Sequence, residues 1–227
     1  MKRLLYILLA LTLCACEVID EADRLIPVPL PVSGDRRHVL LEFTGFRCVN
    51  CPAAAEKAAA LKALYGDNLI LVSLHPASNP FTQGLYDYTC PEADSIYRFM
   101  GGTAQTSFPT GNIDMKPTEN GYFIEHVEWA ARLNTVMSDT LWDPNSQYDT
   151  SYWLLEDSVL GAQVTSQGLD TLYYHRHVLR AISGQPIESV PEKCNPAHCS
   201  MLTVYTDKND KHILQAYETV IDFSAHR

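Results

Sequence analysis

The stretch that decides the fold is His38-Val39-Leu40-Leu41-Glu42-Phe43-Thr44-Gly45-Phe46-Arg47-Cys48-Val49-Asn50-Cys51-Pro52, followed by an alanine-rich run ending at Tyr65-Gly66. Residues 38–43 are short and largely apolar, as expected of a strand buried on both faces. Residues 50–65 are rich in alanine, leucine, lysine and glutamate, all good helix formers, and Gly66 is placed as a C-terminal stop. Pro52 falls in the first helical turn, where a missing amide matters least. Asn68 to Leu74 reads as a second buried strand, so the interval is a parallel β–α–β crossover. Cys48 and Cys51 form a C-x-x-C pair at the strand–helix junction. Unsatisfied amides and the helix dipole favour a thiolate at Cys48. Cys51 is placed to attack Cys48 and close a disulfide.

A polar, aromatic loop from His75 to Thr89 leads to Pro91 at a helix start, with Glu92 and Asp94 in the first turn and a stop at Gly101-Gly102. Pro109, in Thr106-Ser107-Phe108-Pro109-Thr110-Gly111-Asn112, then opens a strand, which a proline does only at special positions. A proline so placed after a C-x-x-C resembles the cis-proline of thioredoxin-like folds, so the Phe108–Pro109 bond is predicted cis.

Taken in order, several stretches resemble the 28-kDa outer-membrane-protein family of Bacteroidota. They are Val39 to Gly45, Cys48 to Pro52, Tyr86 to Asp94, Phe108 to Gly111, Leu154 to Val159 and Tyr174 to Arg180. The resemblance spans most of residues 38–184. It implies a lipid-anchored, thioredoxin-like protein, with Pro109 shaping a substrate-peptide groove beside Cys48 and Cys51. Two departures stand out. Arg47 occupies the position where the family has tryptophan, and the segment between the proline strand and Leu154 is short.

The N-terminus addresses location. Lys2 and Arg3 precede an apolar run from Leu4 to Leu13, too short to span a bilayer and typical of a bacterial signal peptide. Leu13-Cys14-Ala15-Cys16 resembles a lipobox, with Cys16 as the lipidated residue. Loss of the leader removes Lys2 and Arg3 and no acid, so the formal charge of −10 becomes more negative by two. So acidic a chain suits neither nucleic acid nor anionic lipid, and acyl chains must hold it to a membrane. Residues 17–36 form an acidic, proline-rich linker favouring extended backbone. Its acidic start resembles the surface-export signal of Bacteroidota lipoproteins; a plain solvated linker fits equally. The expected location is the outer membrane of a Gram-negative bacterium, on its periplasmic or outer face, with protein partners there.

The fold expected is α/β, with a thioredoxin-like core over 37–142 carrying an additional helix, and a C-terminal β-rich part over 143–227 packed on the core or completing it. Apolar spacing predicts a helix from Tyr122 to Met137. A turn follows at Asp143 to Ser146, then a strand over Tyr152–Glu156. Leu172 to Ile182 fits strand or helix. Thr203 to Tyr205 and Ile213 to Ile221 read as a terminal hairpin.

Five cysteines remain after Cys16: 48, 51, 90, 194 and 199. Five is odd, so at least one thiol is free or pairs between chains. Cys194-Asn195-Pro196-Ala197-His198-Cys199 can close a short structural disulfide. Cys90, just before Pro91, is then an acidic reactive thiol, a partner for Cys194 or Cys199, or an inert buried thiol. His175 and His177, read as sharing one strand face, match no standard zinc spacing with the C-terminal cysteines, so neither metal nor cofactor is expected. Four Asp-Ser/Thr-apolar triplets, at Asp94, Asp139, Asp157 and Asp170, resemble the O-glycosylation signal of Bacteroidota.

Two function classes fit: an envelope thiol–disulfide oxidoreductase using Cys48 and Cys51, or a non-catalytic binding or scaffold lipoprotein with a permanent C-x-x-C disulfide. A hydrolase is disfavoured because no nucleophile motif comes with a base.

Overall fold

A computed structural model describes residues 36–84, 86–143 and 145–220. The leader, Cys16, the linker to residue 35 and Ile221 at the end of the expected hairpin lie outside the described residues. β1 (His38–Phe43) and β2 (Leu69–Leu74) pair in parallel, and every residue of both is buried. Between them in sequence runs α1 (Cys51–Tyr65), with Pro52 in its first turn and Gly66 at its end in a positive-φ conformation that glycine adopts without strain. α2 (Pro91–Phe99) follows, with Glu92 and Asp94 in its first turn. The Phe108–Pro109 bond is cis and leads into β3 (Thr110–Ile113), antiparallel to β1.

β4 (Ile124–Glu125), α3 (Trp129–Val136), β5 (Tyr148–Glu156), β6 (Val159–Thr165), β7 (Gly168–His175), β8 (Val178–Ser183), β9 (Cys199–Asp207) and β10 (Ile213–Val220) complete the order. Eight strands form one sheet in the order β10-β9-β5-β8-β2-β1-β3-β4, while β6 and β7 pair only with each other. β8 lies parallel to β2, and β5, β9 and β10 extend the sheet beyond it. The C-terminal strands thus complete the first-half sheet.

Alternation along β1 divides the core. Leu40 faces α1 and α3, in a cluster with Ala54, Leu61, Trp129 and Leu133. Val39, Leu41 and Phe43 face α2, in a cluster with Ile96, Tyr97 and Phe108. By the same alternation Glu42 points to the α1 side, with Leu40.

Three expectations change. The helix expected from Tyr122 begins only at Trp129. Ile124 pairs in the sheet, a 3₁₀ turn spans His126–Glu128, and Val127 is exposed. Phe123 packs on Phe43 and Tyr97, so its spacing reflects strand and loop packing and not a helix. The ambiguous 172–182 run is two strands. They are broken at Arg176-His177, where His177 has φ of 53° and its N–H donates to Asp157. That turn also separates His175, buried at the end of β7, from half-buried His177, so the two do not share a strand face.

Trp129 is fully buried, donates Nε1–H to Ile124 O at 3.1 Å and lies so close over Gly111 that a Cβ there would meet the indole at 2.8 Å. Trp129→Ala is expected to lower unfolding free energy by about 3–5 kcal/mol, read from urea denaturation midpoints and slopes.

Candidate functional site

Cys48 and Cys51 form a disulfide with Cα atoms 5.4 Å apart. Cys51 opens α1, and Cys48 lies in the turn before it. Both are buried, at 1% and 2% exposure, while Arg47, Val49 and Asn50 around them are exposed. Two segments close over the pair. From one side, Arg47 N–H donates to Phe81 O at 3.0 Å. From the other, the β6–β7 hairpin latches on. Val164 N–H donates to Phe46 O at 2.7 Å, and the Gln163 amide donates to Cys48 O at 2.9 Å. The hairpin is held in turn by Tyr88, whose hydroxyl accepts from Ala162 N–H at 3.1 Å. Only glycine fits at 161, because a Cβ there would sit 1.6 Å from the Tyr88 oxygen.

Beneath the hairpin, on the α1 side of the sheet, lies a cavity of about 360 Å³, large enough to hold several waters. Cys51, Glu42, Ser73, His75, Gln163 and His175 all line it. Glu42 is the group that inspection of the sequence passed over. The signal was one acid inside an otherwise apolar, doubly buried strand. Its Oε1 has no hydrogen-bond partner among the described residues. Burial disfavours its charged form and pushes its pKa up to about 8, against a lowering hydrogen bond from Ser73, its register partner on β2. At neutral pH Glu42 is therefore an uncharged acid.

The histidines are uncharged too. Both ring nitrogens of His75 are buried and unpartnered among the described residues. Burial holds its pKa well below the usual value, helped by His175 and Arg180. His175 donates Nε2–H to Ala162 O at 3.2 Å, and burial lowers its pKa to about 4. The buried lining beside Cys51 is thus neutral and polar, while exposed Glu56, Asp170 and Arg176 bring charge to the outer lining. Among the described residues no three His, Cys, Asp or Glu side chains converge as metal ligands would.

The other expected site residues lie apart from this chamber. Pro109 lines a separate open groove with Phe108, Phe123, Glu125 and His126. Cys90 is a buried free thiol capping α2, its sulfur accepting from Ala93 N–H at 3.4 Å. Burial outweighs that hydrogen bond and pushes its pKa up to about 11, the behaviour of an inert thiol and not of an acidic one. Cys194 and Cys199 lie side by side as buried thiols.

No family model matches the chain, and no curated protein matches it. Among solved structures, HBP35 of Porphyromonas gingivalis is similar at a TM-score of 0.62 and 12% identity, over 84% of this chain and 76% of that one. The fold is thioredoxin-like. A protein from Agrobacterium tumefaciens is similar at 13% identity and a TM-score of 0.48, over 83% of this chain and 96% of that one. The β1-α1-β2 unit, the cis-proline strand and the C-x-x-C of this chain fit the thioredoxin-like fold that its likeness to HBP35 shows. No helix among the described residues is long and apolar enough to cross a membrane.

The chamber makes stability depend on pH in a way that can be assigned. Folded Glu42 keeps its proton up to about pH 8, whereas the unfolded carboxyl releases it near 4.5. The folded state binds more protons between those values, so stability falls as pH rises through that window. His75 and His175 act oppositely below 6.5, where the unfolded imidazoles take up protons that the folded ones resist. From pH 6.5 to 8 Glu42 outweighs them as the last unfolded imidazoles lose their protons. Over that range the unfolding free energy is expected to fall by about 1 kcal/mol, and Glu42→Gln to abolish the fall, measured by urea denaturation at several pH values.

Proposed function

We propose that this chain is an envelope thiol–disulfide exchange protein in which Cys48 is the attacked and attacking sulfur, Cys51 the resolving one, and Glu42 the proton donor and acceptor for Cys51. The observation that carries this reading is the pairing of an uncharged, half-satisfied buried carboxyl with Cys51 in one cavity. A carboxyl in a doubly buried strand is costly to keep. A group whose pKa is held near neutrality beside a sulfur that must gain and lose a proton explains its presence.

The step balances as follows. A partner thiolate attacks Cys48 Sγ, and the Cys48–Cys51 bond breaks. Cys51 leaves as a thiolate and takes the proton of Glu42, directly or through cavity water. A second partner thiolate then attacks the partner sulfur of the mixed disulfide and releases Cys48 as a thiolate, which the α1 N-terminus favours. Two electrons pass from the partner dithiol to the Cys48–Cys51 disulfide, and the reverse sequence oxidises this protein.

At 1% exposure Cys48 cannot meet a protein thiol in the closed form. Exchange requires the β6–β7 hairpin to lift, breaking the Gln163 and Val164 bonds to the 46–48 turn. Pro109 lies outside the chamber, in a groove suited to an extended peptide. The lipobox at Leu13–Cys16 supports anchoring at the outer membrane, where a protein partner would be met, and the quoted motif set supports membership of the 28-kDa outer-membrane-protein family.

The burial of both sulfurs favours a second reading, a permanent staple in a binding or scaffold lipoprotein. Trapping separates them. In whole cells, Cys51→Ser is expected to accumulate Cys48 mixed disulfides with partner proteins; the staple reading requires none, with Cys48–Cys51 always oxidised. In vitro, Gln163→Ala is expected to raise the rate of Cys48–Cys51 reduction by dithiothreitol at least several-fold. Glu42→Gln is expected to lower it by about tenfold or more and to remove the inflection near pH 8 from its pH profile.

A further inference from the structure

Cys194 and Cys199 stand apart from the chamber and have a built setting of their own. Both are buried, at 7% and 4% exposure, in a cluster with Leu154 and Met201. The chain between them folds into a tight turn. A 3₁₀ segment spans Pro196–His198, Asn195 caps it by accepting from Ala197 N–H, and His198 N–H donates to Asn195 O at 3.0 Å. This turn sets the two thiols in one buried cluster, and Cys199 Sγ–H donates to Asn195 O at 3.3 Å.

The surroundings are polarised. Arg180 and Glu156 form a buried ion pair at 2.7 Å, and the other Glu156 oxygen accepts from Asn195 N–H at 2.7 Å. Lys193, next to Cys194, reaches Asp87 at 2.9 Å and Thr89 O at 2.8 Å, pinning the turn to the segment before α2. The two thiols differ in kind. The neighbouring Cys199 lowers the Cys194 pKa, while Cys194 and burial raise that of Cys199. Lys193, Asn195, Ala197 and His198 are all exposed, so a small opening of the turn presents Cys194 to solvent.

We propose that Cys194 and Cys199 are a second, reversible thiol–disulfide couple, separate from Cys48–Cys51, that reacts with small disulfides of the glutathione class. Cys194, as thiolate, attacks one sulfur of the external disulfide and releases the other as a thiolate. Cys199 gives up its proton and attacks Cys194 Sγ, expelling the second small thiolate and closing the Cys194–Cys199 bond. Two protein thiols are oxidised and one external disulfide is reduced to two thiols. Closure constrains the 194–199 turn, whose Asn195 N–H is bonded to Glu156.

Trypsin cleavage after Lys193 and Lys208 places both cysteines on one peptide, and cleavage after Arg47 and Lys57 places Cys48 and Cys51 on another. The native full-length protein is equilibrated in glutathione buffers of graded ratio, quenched with an alkylating agent and digested. The 194–208 peptide is expected to pass between a doubly alkylated and an internally bonded form in one two-electron transition. Cys90→Ser is expected to leave that transition unmoved, and Cys199→Ser to hold Cys194 as a glutathione adduct. A peptide doubly alkylated at every ratio, internally bonded at every ratio, or carrying stable glutathione in the unaltered protein would overturn the couple. The 48–57 peptide reports Cys48–Cys51 independently, so either site can fail without the other.

Discussion

The uncharged state of Glu42 is the condition on which the rest of the site depends. β1 is buried on both faces between two helical layers, and a carboxylate there would have to be paired or hydrated. Ser73 gives one hydrogen bond, and the second oxygen has no partner among the described residues. Burial therefore wins over hydrogen bonding and the group keeps its proton. The buried lining shares this character, since His75 and His175 are also neutral; Glu56, Asp170 and Arg176 bring charge only to its exposed part. A proton on Glu42 and a sulfur at Cys51 are then the two reactive features of one cavity.

The hairpin sets access to that space. It makes no strand pairing with the main sheet; Gln163, Val164 and the Tyr88 hydroxyl hold it by hydrogen bonds, and Ala162, Val159 and His175 pack it against the body, with the His175 ring 4.2 Å from that of Tyr88. Each of those hydrogen bonds contributes only about 0.5–1.5 kcal/mol net. Its outer side exposes Leu160, Leu172 and Tyr174. Opening breaks these contacts and uncovers Ala162, Gln163 and His175 while leaving the pairing of the eight-stranded sheet intact.

Much of this was legible in the chain, for identifiable reasons. β1, α1 and β2 were readable because double burial gives continuous apolar runs, alanine-rich sequence favours helix, and Gly66 stops it. Cis Pro109 followed from its place after the C-x-x-C. The helix at 122–137 was drawn too long because Phe123 and Ile124 are apolar for strand and loop packing, which mimics helical spacing over a short window. β6 was missed because its inward contacts are made by Gly161, Ala162 and Gln163, residues without a hydrophobic alternation to detect. Glu42 was passed over for a related reason: its role comes from what the fold places around it, and one acid in an apolar strand does not announce that environment.

The most direct measurement is infrared difference spectroscopy of the oxidised protein, comparing wild type with Glu42→Gln at pH 6.5 and pH 9.5. The account predicts a protonated-carboxyl C=O band at pH 6.5 that is absent from the variant and lost in wild type at pH 9.5, with an inflection near pH 8. No such band at pH 6.5, meaning that Glu42 is already ionised there, would contradict it.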